Sequence, residues 1–162
     1  AEIRTAMETL RGNDLAAKVE TARKLPALKS FHAVVAALES PDPEVVSETR
    51  RAFKVNGKKK FQLDIDSNGS KDITVTFASG KLAEIRIRFG RYAYTTKRYK
   101  NGKKYEVRSG GFTYYLDNGE ITRIKQTQEA TRCDITLKNG AIESIAYESN
   151  RGGKPEKFVL HP

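Results

Sequence analysis

The chain has no tryptophan, one methionine, one cysteine and two histidines among its 162 residues. A lone thiol, Cys133, excludes an intramolecular disulfide framework and a cysteine-rich zinc site. It falls in the apolar alternation Cys133, Ile135, Leu137, which predicts a buried, inert side chain. His32 and His161 have no spacing partner for a metal site or a catalytic triad, and no Gly-rich phosphate loop or G-x-S-x-G elbow occurs. These absences predict that the protein is not an enzyme. No apolar run approaches the roughly 20 residues that span a bilayer, so the chain reads as soluble. It begins with Ala1 rather than Met, which leaves two readings of its origin. Either a signal peptide was removed, which favours an extracytoplasmic location, or the chain starts inside a longer protein.

What is present is charge of one sign. Lys and Arg number 30 against 20 Asp and Glu, for a net charge of +10. Residues 1–57 carry 9 basic and 8 acidic residues, whereas residues 58–162 carry 21 and 12. The excess is densest over 81–110, where ten cations are opposed only by Glu84 and Glu106.

The first 57 residues have helical spacing. Ile3, Met7 and Leu10 recur at one face, Gly12 closes that helix, and Asn13 or Asp14 can cap the next. Pro26 is expected to break it. A third helix is expected over about Ala27 to Glu39, with Phe31, Val34, Val35 and Leu38 on one side. Asp42 then suits an N-cap and Pro43 the first helical position, where a missing N–H costs nothing. Val45, Val46, Thr49 and Phe53 continue as a stripe to Asn56-Gly57. The run Asp42-Pro43-Glu44-Val45, followed by Arg50, Ala52, Phe53 and Asn56-Gly57, resembles a HEAT-type helix pair over about residues 27–57. One or two such repeats make no solenoid.

From Phe61 the period changes from 3.6 to 2. Phe61, Leu63, Ile65; Ile73, Val75, Phe77; Ile85, Ile87, Phe89; Phe112, Tyr114, Leu116; Cys133, Ile135, Leu137; and Ile145, Tyr147 alternate with polar residues. Such alternation predicts antiparallel strands with one buried and one solvated face. Asn-Gly at 68–69, 101–102, 118–119 and 139–140, and Ser79-Gly80, predict hairpin turns. Gly110-Gly111 and Gly152-Gly153 supply further breaks. The expectation is an α+β fold with about four helices in 1–57 and an antiparallel meander in 58–162, packed as one unit.

The hairpins also repeat. The stretches that start at Phe77, Leu116 and Leu137 share the pattern [FL]-x-[NS]-G-x-[IL]-x-x-I, and Tyr99-Lys100-Asn101-Gly102 with Val107 is a degraded copy. Tyr99-Lys100-Asn101-Gly102-Lys103-Lys104 and Tyr114-Tyr115-Leu116-Asp117-Asn118-Gly119 resemble the MORN-variant, antitoxin-like β-hairpin repeats over about 72–149. That resemblance implies an extended meander used as an interaction surface.

Two segments can carry chemistry. The first is the basic one. A two-residue turn at Asn101-Gly102 would set Lys97 opposite Glu106 and Arg98 opposite Tyr105. Arg86, Arg88, Arg91, Tyr92, Tyr94, Lys97, Arg98, Tyr99, Lys100, Lys103, Lys104 and Arg108 then form a candidate cationic, tyrosine-bearing surface. Its partner would be an acidic protein, an acidic glycan, an anionic lipid surface or a nucleic acid. The bland alternative is a solvated strand surface whose lysines protect sheet edges. The second segment, Asp64-Ile65-Asp66-Ser67-Asn68-Gly69-Ser70-Lys71-Asp72, matches the first nine positions of an EF-hand loop, with Asp64, Asp66, Asn68 and Asp72 as oxygen ligands for calcium. Val75 stands where that loop needs a bidentate Glu, so an ordinary Asn-Gly hairpin competes with a calcium site. No motif calls for any other cofactor.

Overall fold

The computed structural model describes residues 1–91, 93–128, 131–149 and 156–161, with the side chains of 127, 128 and 156–158 outside that description. Tyr92 and the Gly152-Gly153 break therefore lie outside the described residues. The fold is α+β, four helices followed by ten strands of antiparallel meander. The chain divides into two compact units, Ala1–Ile87 and Arg88–Pro162. The expected change from helices to strands at 57/58 falls between the last helix, which ends at Ala52, and the first strand, which begins at Lys60.

The first unit contains α1 (Glu2–Arg11), α2 (Leu15–Leu28), α3 (Phe31–Leu38) and α4 (Pro43–Ala52). Three strands follow, β1 (Lys60–Leu63), β2 (Ile73–Ala78) and β3 (Lys81–Phe89), the last two residues of β3 belonging to the second unit. Asp14 accepts the Ala17 N–H at 3.1 Å and starts α2, and Ser30 accepts the Ala33 N–H at 3.2 Å and starts α3. Both satisfy amides that a helix end leaves without partners. Pro26 does not break the chain: α2 runs through it to Leu28. The proline removes only the bond to the Ala22 carbonyl, while the full burial of Ala22 and Leu25 holds the last turn. Lys29, left-handed at φ 50°, makes the actual break, so the third helix is shorter than expected. The fourth helix stops at Ala52 instead of running on to Asn56-Gly57.

Two sequence assignments within the helices also change. Ile3 is exposed at 47%, and Ala6 joins Leu10 as the buried side of α1. Asp42 precedes α4 as expected, but its side chain makes no cap. Its Oδ2 accepts a hydrogen bond from the Lys18 ammonium at 2.7 Å instead. The strand face Phe61, Leu63, Ile73, Val75, Phe77, Leu82, Ile85 and Ile87 is buried throughout. Each such side chain contributes about 1.5–3 kcal/mol when fully removed from water. From α4, Arg50 reaches this face, its guanidinium 4.2 Å from the Phe77 ring centroid and 6.0 Å from that of Phe61.

The second unit continues with β4 (Ala93–Lys100), β5 (Lys103–Ser109), β6 (Phe112–Asp117), β7 (Glu120–Gln128), β8 (Thr131–Lys138), β9 (Ala141–Ser149) and β10 (Glu156–Leu160). Consecutive strands from β4 to β10 pair antiparallel. At Asn101-Gly102, Asn118-Gly119 and Asn139-Gly140 both residues have positive φ, as at Ser79-Gly80 in the first unit. Positive φ at both central positions is the backbone a type I′ turn requires, so the repeated Asn-Gly pairs form the hairpins the sequence calls for.

The spacing of the repeat has a structural cause. In each of these four hairpins the register slips after the second pair beyond the turn. Phe77 pairs with Leu82, but Thr76 pairs with Glu84. Leu116 pairs with Ile121, but Tyr115 pairs with Arg123. Leu137 pairs with Ile142, but Thr136 pairs with Ser144. One extra residue (Ala83, Tyr105, Thr122 or Glu143) is inserted as a β-bulge. A regular strand returns to the same face every two residues, so the [IL]-x-x-I spacing of three is the bulge written in sequence.

Candidate functional site

The bulge at Tyr105 reassigns the basic hairpin. Lys100 still pairs with Lys103 and Tyr99 with Lys104, but beyond the slip Arg98 faces Glu106 and Lys97 faces Val107. The register thus sets Arg98, rather than Lys97, opposite Glu106, and the Arg98–Glu106 ion pair closes at 3.1 Å. Tyr105 is the inserted residue and has no place opposite Arg98. Arg108 joins the same carboxylate at 3.3 Å, and the Glu106 side chain is only 7% exposed. Two guanidiniums, 37% and 54% exposed, thus share one nearly buried carboxylate.

Side chains of paired residues share a face, so the registers sort the candidates into two groups. Tyr94, Arg98, Lys100, Lys103 and Arg108 lie on one face of the β4–β5 ribbon with Glu106. Lys97, Tyr99 and Lys104 lie on the other face with Val107. This corrects the expectation of a single wet surface, because the bulge fixes which residues align and strand alternation does the rest. Tyr99 is buried, whereas Tyr94 is exposed at 39%. Within β3, Arg86 and Arg88 alternate with the buried Ile85 and Ile87 and so take the opposite side. Arg88 donates from Nε to the Gly90 carbonyl at 3.0 Å, and Arg91 is exposed in the turn that follows.

Sequence reasoning missed the continuation of the polar face across the second unit. Tyr115 pairs with Arg123, whose guanidinium lies 5.8 Å from the ring centroid. Arg123 also holds Asp134 through two hydrogen bonds, one of them from Nε to Oδ1 at 2.8 Å. This contact keeps the Asp134 carboxyl below its usual range against the partial desolvation that works to raise it. The only signal for this pairing was register, which a short pattern does not expose. At the hairpin tips, the Lys103 ammonium donates to Asn118 Oδ1 at 3.2 Å. Lys103, Lys104, Leu116, Asn118 and Gly119 line a shallow hollow of about 390 Å³ between the two turns.

The apolar side departs further from expectation. Phe112, Tyr114, Leu116, Ile121, Ile124, Cys133, Ile135, Leu137, Ile142, Ile145 and Tyr147 share the face of Val107. None of them is buried. Cys133, read from sequence as an interior thiol, is half-buried on this face. Among its described residues the second unit contains strands alone and so supplies no helix to cover this face, and alternation here does not produce one buried and one wet face.

The acidic segment is not an Asn-Gly hairpin. Residues 64–72 form a loop between β1 and β2, with positive φ at Ser67 and Gly69 rather than at Asn68. Carboxylates replace the missing ladder. Asp72 accepts the Ile65 N–H at 2.8 Å, Asp64 accepts the N–H groups of Gly69 at 2.8 Å and Asn68 at 3.2 Å, and Asp66 accepts from the side-chain Nδ2 of Asn68 at 2.8 Å. Desolvation works to raise the Asp64 carboxyl, but the Gly69 amide and its other hydrogen bonds hold it below its usual range. One oxygen from each of Asp64, Asp66 and Asp72 lies within 4.8 Å of the others. Exposed carboxylates commonly lie this close with no ion between them, and these already accept the loop's own N–H groups. Val75, at the position of the missing bidentate ligand, is fully buried in β2 and cannot serve.

No protein-family model, curated protein or solved structure matches the chain. Among the described residues no helix is long and apolar enough to cross a membrane.

Proposed function

We propose that this protein is a non-catalytic binding module that presents its basic, tyrosine-bearing hairpins to an acidic partner. The observation that carries the reading is at the tip of β4–β5. Lys100 and Lys103 stand directly opposite each other, both exposed, beside the hollow formed with Asn118-Gly119. Like charges directly opposed across a ribbon destabilise it, and a bound anion removes that cost. Behind the tip, Arg98 and Arg108 around Glu106 extend positive charge along the same face, and Tyr94 adds an exposed ring.

The test is affinity for a heparin-like glycan, duplex DNA, anionic vesicles and an acidic peptide, each measured against salt. Lys100→Glu/Lys103→Glu should weaken binding to whichever ligand is preferred and flatten its salt dependence. For duplex DNA, each neutralised phosphate adds about −0.9 to the log–log slope. Equal and negligible binding by wild type and variant to all four ligands rejects the proposal.

The convergence of Asp64, Asp66 and Asp72 favours a second reading, a structural domain of an extracytoplasmic protein whose 64–72 loop is calcium-stabilised. A ligand that binds only the native state raises Tm with concentration. A Tm indifferent to both calcium and chelator rejects this reading.

A further inference from the structure

Strand β1 is an edge. It stands first in the strand order and pairs with β2 alone, so one side of its backbone meets no other strand among the described residues. Three bonds show which residues turn toward β2. The Lys59 carbonyl accepts the Phe77 N–H at 2.7 Å, and the Leu63 carbonyl accepts the Asp72 N–H at 2.9 Å. The Ile65 N–H donates to Asp72 Oδ2 at 2.8 Å. Backbone groups alternate along a strand, so the N–H and C=O groups of Lys60, Gln62 and Asp64 turn to the open side. Side chains alternate as well. Phe61, Leu63 and Ile65 are buried, whereas Lys58, Lys60, Gln62 and Asp66 are exposed and Asp64 is half-buried.

Charge along this edge is sorted by end. Residues 50–60 hold six cations and no acid, and Asp64 and Asp66 follow just beyond the strand. Among the described residues Lys58, Lys60, Asp64 and Asp66 form no ion pair. The two aspartates accept uncharged amide groups of their own loop, which leaves their charge without a counterion. Lysines alone would guard an edge against a second strand. An edge that is basic at one end and acidic at the other repels a parallel copy and matches an antiparallel one.

We infer that the chain forms a two-fold dimer through β1, each copy's edge paired antiparallel with the other's. The charges select the register. With Gln62 opposite Gln62 of the second copy, Lys60 faces Asp64 and Lys58 faces Asp66, and the symmetry doubles these to four ion pairs on one face. Sliding by one step in either direction that keeps open backbone groups opposed leaves two ion pairs in place of four. The Lys58 carbonyl accepts Arg50 Nη2 at 2.7 Å, so the new backbone ladder runs between Lys60 and Asp64. An edge this short buries little area, which makes the dimer transient. The contact uses none of the residues of the anion-binding face. It shares Asp64 and Asp66 with the calcium reading, so the test is run in EDTA, where no bound calcium can screen them.

The experiment is sedimentation equilibrium of the whole chain, from micromolar to about 1 mM protein. Wild type should pass from monomer to dimer with concentration, and added salt should weaken the dimer. Lys58→Glu and Asp66→Lys should each weaken self-association by about two- to thirtyfold, the range for two exposed ion pairs. Mixed in equal amounts they should recover wild-type association, because each restores the pairs that the other reverses. Both leave Asp64, which accepts the Gly69 N–H, in place. Gln62→Pro removes an N–H that the β1–β2 ladder does not use, so it should abolish the dimer while far-UV circular dichroism stays that of wild type. A monomer at every concentration, a dimer that survives Gln62→Pro, or folded Lys58→Glu and Asp66→Lys chains that do not recover on mixing overturns the inference. Loss of the dimer in Lys100→Glu/Lys103→Glu or Ile121→Asp/Ile142→Asp would put the contact on the second unit and overturn it as well.

Discussion

Truncating one aliphatic residue of the repeat in each unit should give two very different costs. Ile85 is 0% exposed and Ile142 is 47% exposed. Ile85→Ala removes buried methyl groups and leaves a cavity among Val75, Leu82 and Ile87, a loss of about 2–5 kcal/mol. Ile142→Ala removes a side chain that is only about half withdrawn from water. Its cost is roughly half the 1.5–3 kcal/mol of full burial, with no cavity term, or about 0.8–1.5 kcal/mol. Both figures are upper estimates because the unfolded chain already shields some apolar area, but the difference between them survives that correction. Urea titrations followed by far-UV circular dichroism and by tyrosine fluorescence measure both losses, with coincidence of the two probes checking two-state behaviour. Equal losses at the two positions would refute the claim that the repeat is covered in one unit and open in the other.

Three further outcomes follow from particular contacts. Gly119→Ala and Gly140→Ala meet nothing within 4 Å but hold φ of +85° and +76°, so each should cost about 1–2 kcal/mol by backbone strain alone, measured as a lowered urea midpoint. Asp42→Ala strands the Lys18 ammonium, whose side chain is 9% exposed, and should cost about 1–3 kcal/mol. Lys18→Met/Asp42→Ala should cost less than Asp42→Ala alone, as a double-mutant cycle would show. Because the Arg123 contact depresses the Asp134 carboxyl, its contribution is complete above the ordinary value of 3.8 and is lost as pH falls through the lower folded value. Wild type should therefore lose more stability than Asp134→Asn below that value, and parallel curves would contradict the contact.

Much of the fold was legible because two local rules dominate it. Strand alternation marked the β region, and Asn or Ser followed by Gly marked four turns whose positive φ few other residue pairs accept. The helix ends were less legible because competing partners decide them. Asp42 has an N-cap's position and chemistry, yet Lys18, 24 residues away in sequence, takes its carboxylate. Pro26 is tolerated because the buried Ala22 and Leu25 outweigh one lost hydrogen bond. The Asn68-Gly69 pair did not form a two-residue turn, since three aspartates cap the amides of a longer loop.

The candidate site was legible in composition but not in arrangement. The basic residues of 81–110 were plain in the sequence, whereas their division between two faces follows from where the bulge falls. The spacing of three between Leu82 and Ile85 already signalled that bulge, since regular alternation forbids it. Burial of Cys133 could not be read from alternation, which tells which face a residue occupies but not whether a second layer covers that face.

The openness of the apolar face of β6–β9 is tested most directly at that cysteine. The rate of Cys133 alkylation by iodoacetamide should be measured in the isolated native protein across a series of low urea concentrations. An open face predicts steady reaction in the folded state, at a rate independent of urea until the unfolding transition begins. A thiol that reacts only in proportion to the unfolded population would mean the face is covered, and the account of an uncovered sheet would be wrong.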